Sequence, residues 1–123
     1  MDTTKNVKCI IIMKNLSCFV GYDSKEDIAY RVCKYSLLKR ASIDLKIFSL
    51  KLNELIAKNF YKRGLDPLAS TQFTYSRFLV PALMDYKGWA IFCDCDFIFL
   101  DDISKITKNL DENKAVYLSL IHI

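Results

Sequence analysis

The stretch Ala90-Ile91-Phe92-Cys93-Asp94-Cys95-Asp96-Phe97-Ile98-Phe99-Leu100 is an apolar run with two carboxylates set into it at a spacing of two. In an extended strand residues i and i+2 point to the same side, so Asp94 and Asp96 would converge on one point while Cys93 and Cys95 face away. Two anions aimed at one spot repel, and a divalent cation makes the arrangement tolerable, because hard oxygen ligands suit Mg²⁺ or Mn²⁺. The competing reading is that the strand ends at Asp94 and that both acids are turn residues in water. Trp89 to Cys93 is read as a strand that delivers the two acids at its C-terminal end.

Working outward, Leu16-Ser17-Cys18-Phe19-Val20-Gly21 reads as a short buried strand followed by a Tyr22-Asp23-Ser24 turn. Ser24 with Asp27 resembles a capping box, and a helix is expected over about residues 25–40, with Ile28, Val32, Tyr35 and Leu38 recurring at helical spacing. Ile43, Leu45 and Ile47 predict a second strand, and residues 51–59 a short helix. Strand, helix, strand at these intervals is the pattern of a parallel sheet. After a loop over residues 60–69, Ser70 or Thr71 caps a further helix through Arg77 and Leu79, interrupted at Pro81 and ended at Lys87-Gly88. A short helix near residues 104–110 and a last strand over residues 115–121 complete the prediction.

The fold class is therefore α/β, with a mainly parallel sheet flanked by helices. Ligands of open sheets of this class collect at the carboxyl ends of the strands, where Gly21-Tyr22-Asp23 and Asp94-Cys95-Asp96 both fall. Gly21 lets a flat ring approach the backbone, and Asp23 either accepts hydrogen bonds from a base or ribose or caps the following helix. Arg77, among Phe73, Phe78 and Leu79, either snorkels to water or reaches a fixed anion.

With 123 residues, 52% of them apolar, the chain suits one folded domain, residues 14–123, preceded by an N-terminal extension over residues 1–13 in which Met13 is a second possible start. A net charge of +4 spread among interspersed acids does not argue for nucleic acid but suits an anionic small ligand. Neither the Ala90–Phe99 run nor the Ala115–Ile123 run reaches the ~20 residues of a bilayer span, and a cytoplasmic protein is expected. Five cysteines, an odd number with no C-x-x-C pair, point to reduced, mostly buried thiols rather than to zinc or disulfides. The single histidine, His122, leaves little scope for a Ser/His/Asp or Cys/His site.

The order of strand, Gly-Tyr-Asp turn, helix and strand, then Ser70-Thr71-Gln72-Phe73-Thr74-Tyr75-Ser76-Arg77-Phe78-Leu79-Val80-Pro81, then Gly88-Trp89-Ala90-Ile91-Phe92-Cys93-Asp94-Cys95-Asp96, resembles a bacterial glycosyltransferase of the GT-A, family-8-like type over about residues 14–117. The resemblance implies a Rossmann-like nucleotide-diphospho-sugar transferase fold. It implies that Gly21, Tyr22 and Asp23 bind the base of a UDP- or GDP-sugar and that Arg77 contacts the sugar nucleotide. It implies further that Asp94 and Asp96 hold Mn²⁺ or Mg²⁺ against the diphosphate, with Asp94 also reaching ribose or sugar. The acceptor would be a saccharide or glycolipid, of the envelope polysaccharide or lipopolysaccharide class.

A complete domain of that type is longer than 123 residues. The acceptor-binding half, any general base and the later metal-ligating histidine have no counterpart here, and His122 stands in an apolar tail that leaves the pattern. The expectation is a truncated product, either active or an inactive nucleotide-binding remnant, with an exposed sheet edge prone to self-association. A phosphohydrolase of the haloacid-dehalogenase type also places D-x-D after an apolar strand, with the first Asp as nucleophile. That motif normally opens its domain and carries Thr or Val where this chain has Ile98.

Overall fold

The computed structural model describes residues 15–118. The proposed extension over residues 1–13, Cys9, His122 and the end of the predicted last strand lie outside the described residues. Three parallel strands form the sheet: β1 (Asn15–Gly21), β2 (Asp44–Leu50) and β3 (Ala90–Cys93). Their spatial order is β2-β1-β3. Cys18 pairs with Ile47 on one side and with Ile91 on the other, so β1 is central and its side chains are covered on both faces. That is why Cys18, Phe19 and Val20 run without polar interruption, as strands buried on both faces do.

Four short helices flank the sheet: α1 (Asp27–Arg40), α2 (Leu52–Ala57), α3 (Val80–Leu83) and α4 (Ser104–Thr107). Cys33 and Leu37 of α1 pack with Leu16, Cys18 and Val20 on one face, together with Cys93, Cys95 and Ile103. On the other face Phe19 and Leu50 pack with Leu55 of α2 and Val80 of α3. The fold is thus α/β, a small parallel sheet flanked by helices and compatible with a Rossmann-like architecture. Among the described residues no helix is long and apolar enough to cross a membrane.

Three expectations need correction. The stripe Ile28, Val32, Tyr35 and Leu38 is not the buried face of α1: these side chains are 78%, 43%, 63% and 50% exposed, and the sheet is met by Cys33, Ser36 and Leu37. Short side chains let the helix lie close to the strands, and Ser36 is accommodated there because its hydroxyl donates to the Cys33 carbonyl at 2.7 Å and accepts the Phe99 N–H at 3.0 Å.

Residues 70–79 do not form one long helix. Only a 3₁₀ turn over Ser76–Leu79 leads into α3, which carries Pro81 in its first turn, where a missing N–H costs nothing. α3 ends at Leu83 and not at the predicted Lys87-Gly88 stop: Asp85 and Tyr86 already take positive φ, 52° and 57°, and Gly88 at φ 74° lies beyond them. Finally, residues 115–118 are exposed and not in a strand, so the described part of the predicted last strand is absent.

Candidate functional site

The chain steps from β1 to β2 on one side and then returns to β3 on the other. The connections leaving the carboxyl ends of β1 and β3 therefore diverge, and the crevice between them is where ligands of parallel sheets collect. Gly21-Tyr22-Asp23 and Asp94-Cys95-Asp96 flank it, being the residues that end or follow those two strands.

The turn after β1 is built from internal contacts. A Cβ at Gly21 would stand 2.6 Å from the Phe73 ring, so the flat ring that this glycine admits is the chain's own. Asp23 is 6% exposed, and its carboxylate accepts the Lys25 N–H at 3.0 Å and the Gln72 N–H at 3.3 Å. Of the two readings of Asp23, the capping one is occupied, although the cap serves the 3₁₀ turn Ser24–Glu26 that precedes α1. Ser24 is not the cap: its N–H and Oγ make a reciprocal pair of hydrogen bonds with the Gln72 amide. The Tyr22 hydroxyl donates to Asp27 at 2.6 Å, its ring meets Tyr30 edge-on, and the Lys51 ammonium lies 5.1 Å from its centroid. Gln72 and Phe73 shape this turn although the sequence around them predicts a helix; the Ser-Thr run before them, which suits a loop, is the signal that points to their role.

Beyond Cys93 the chain turns instead of staying extended, and the Phe97 N–H donates to the Asp94 carbonyl at 3.4 Å. The two acids therefore belong to a turn and not to the extended strand, and their proximity does not come from strand alternation. Cys93 and Cys95 are buried beneath it as expected. Cys95 donates to Glu26 at 3.2 Å, and burial together with that carboxylate pushes its thiol up to about 12. The hydrogen bond with the Cys33 thiol, 3.9 Å away, and then burial likewise push Cys93 upward, so neither is a thiolate nucleophile at neutral pH.

Asp94 is half-buried and Asp96 exposed. Desolvation first, and the Asp96 charge second, raise the Asp94 carboxyl above its ordinary value, while the Arg77 charge opposes them. The structure thus brings Asp94, Asp96 and Arg77 into one electrostatic neighbourhood. Arg77 is exposed and makes no ion pair within 4.0 Å among the described residues; its guanidinium lies 5.2 Å from the Phe78 ring centroid. No group of three or more His, Cys, Asp or Glu side chains is poised for a metal among the described residues. Asp101 and Asp102 are not ligands: Asp101 pairs with Lys105 at 2.7 Å, and Asp102 accepts the Ser104 N–H at 3.0 Å at the start of α4.

The chain is 47% identical over 103 residues to Protein CDI of Arabidopsis thaliana. The match takes in 84% of this chain and 40% of that protein, so the chain spans well under half the length of the curated relative it matches. No family model matches the chain. No solved structure matches it. The resemblance to a bacterial glycosyltransferase is corrected by this finding. The similarity, at 47% identity, is to a plant protein, and short D-x-D and S-R-F patterns recur too readily to place a chain in a family.

Proposed function

We propose that this chain binds a nucleotide-diphosphate sugar at the crevice between β1 and β3, as the donor-binding part of an enzyme that transfers the sugar to a saccharide or glycolipid acceptor. The reading rests on one observation: two acids, the half-buried Asp94 and the exposed Asp96, follow the carboxyl end of β3 at the point where the strand order turns back beside β1. Desolvating an acid next to another acid is unfavourable unless a cation joins them.

The donor set fits Mg²⁺ or Mn²⁺. Two hard carboxylate oxygens with the remaining positions left to phosphate and water is the usual way Mg²⁺ is held in phosphate chemistry. Asp94 and Asp96 would hold the ion, and the bound cation supplies positive charge against the diphosphate that departs when the glycosidic bond to phosphate breaks. With two carboxylates cancelled by a divalent ion, the Arg77 guanidinium remains as net positive charge facing the same anion. The Gly21–Asp23 turn contributes a rigid wall, because its side chains are already tied to Phe73, Gln72, Lys25 and Asp27. A Rossmann-like nucleotide-diphospho-sugar transferase fold is the architecture that joins these parts. Beside this role, β2 and β3 carry no further strand among the described residues, and those edges favour association of the chain with itself.

Calorimetric titration with UDP and GDP, each with and without Mn²⁺, tests the reading. Metal-dependent binding is expected, lost in Asp96→Asn while the variant keeps its thermal stability within a few degrees. Binding that is unchanged in Asp96→Asn, or absent from a cooperatively folded chain, overturns it.

A further inference from the structure

A second feature lies beside the 3₁₀ turn that carries Arg77. The segment after α2 and the 3₁₀ turn before α3 enclose an open groove of about 230 Å³, walled by Phe60, Tyr75 and Phe78 and bordered by Lys62 and Arg63. Its base belongs to the folded interior, since Tyr61 and Leu79 pack against the cluster containing Phe19 and Leu50. This volume is below the ~300–1,000 Å³ of pockets that take a whole drug-sized ligand, and it suits one ring and its substituents.

The charges on the border are not equivalent. The Arg63 guanidinium lies over the Tyr75 ring, 4.0 Å from its centroid, and the Tyr75 hydroxyl donates to Asp66 at 2.8 Å, so this cation is held in place beside an acid. Lys62 makes no ion pair within 4.0 Å among the described residues. A compact ammonium offers a point charge to a phosphate without needing the planar fork that a carboxylate prefers. Aromatic walls give the apolar face of a pyranose a surface to lie on. Arg77 lies 5.2 Å from the centroid of the groove residue Phe78, on the same 3₁₀ turn.

We infer that this groove binds the acceptor, and that the acceptor is a phosphorylated sugar whose ring lies on Phe60, Tyr75 and Phe78 while its phosphate meets Lys62. The inference rests on the donor reading for the word acceptor, but not for the binding site itself. Glucose 6-phosphate is the probe, titrated calorimetrically into the full chain without metal or nucleotide, with glucose and inorganic phosphate as separate arms.

Glucose 6-phosphate is expected to bind at least tenfold more tightly than either part alone. Lys62→Gln and Phe60→Ala should each weaken it about tenfold, and both variants should keep wild-type affinity for UDP with Mn²⁺. Equal affinity for glucose 6-phosphate and inorganic phosphate overturns the assignment by showing charge without a ring site. Unaltered binding in Lys62→Gln overturns it as well, and so does failure of glucose 6-phosphate to bind a chain that still binds UDP. Conversely, wild-type affinity for glucose 6-phosphate in a chain that binds no nucleotide retains the groove and removes only the donor reading.

Discussion

Asp94 carries the electrostatics of the candidate site. Its carboxyl is raised by desolvation and by Asp96, which sets the sign of a pH effect. Because the folded chain holds this proton to a higher pH than the unfolded chain does, stability contributed at this position falls as pH rises from the unfolded value through the folded one. Asp94→Asn removes the ionisation, so the variant is expected to lose less stability than wild type across that window. Urea unfolding at a series of pH values just above the ordinary carboxylate range measures it, and parallel pH profiles for the two proteins would refute the assignment. The same logic makes Mn²⁺ binding strengthen with pH over that interval, since the ion competes with the proton for one carboxylate. The role of Asp23 is decided by a distant contact. Both readings of it were open from its neighbours in sequence, and Gln72, which is far away in the chain, helps to occupy it.

Among the elements, α1 shows how far periodicity carries. Its position between β1 and β2 follows from the acids near its start and from Lys39 and Arg40 in its last turn, all visible in sequence. Its orientation does not follow, because the helix carries apolar residues on two faces. The stripe Ile28, Val32, Tyr35 and Leu38 is longer and more apolar than the line of Cys33, Ser36 and Leu37 that meets the sheet. Leu37→Ala is expected to cost about 2–5 kcal/mol, as for other buried leucines, whereas Ile28→Lys should stay within about 0.5 kcal/mol. Guanidinium unfolding of both variants checks this, and the reverse order of effects would mean that α1 packs through its other face.

At the scale of the molecule, β2 and β3 are both outer strands among the described residues, and several large apolar side chains face water, Leu68, Phe78 and Leu100 among them. Unpaired strand edges beside exposed apolar surface favour association through strand pairing. Sedimentation velocity of the purified chain is expected to show a weight-average coefficient that rises with protein concentration. A single species of monomer mass at every concentration would count against it.

Much of this protein is legible in its sequence because the signals are local. Mostly apolar runs over residues 16–20 and 90–93 and the alternating residues after Ile43 specify the strands, and the intervals between them specify parallel pairing. The same runs place Asp94 and Asp96 at a carboxyl end. Three things were decided only when distant segments met. Phe73 took the space above Gly21, Gln72 took a carboxylate oxygen of Asp23, and the sheet chose the face of α1 it could approach most closely. Spacing along a chain encodes which residues share a face, but it does not encode which face is covered, because burial depends on what the rest of the chain brings to it.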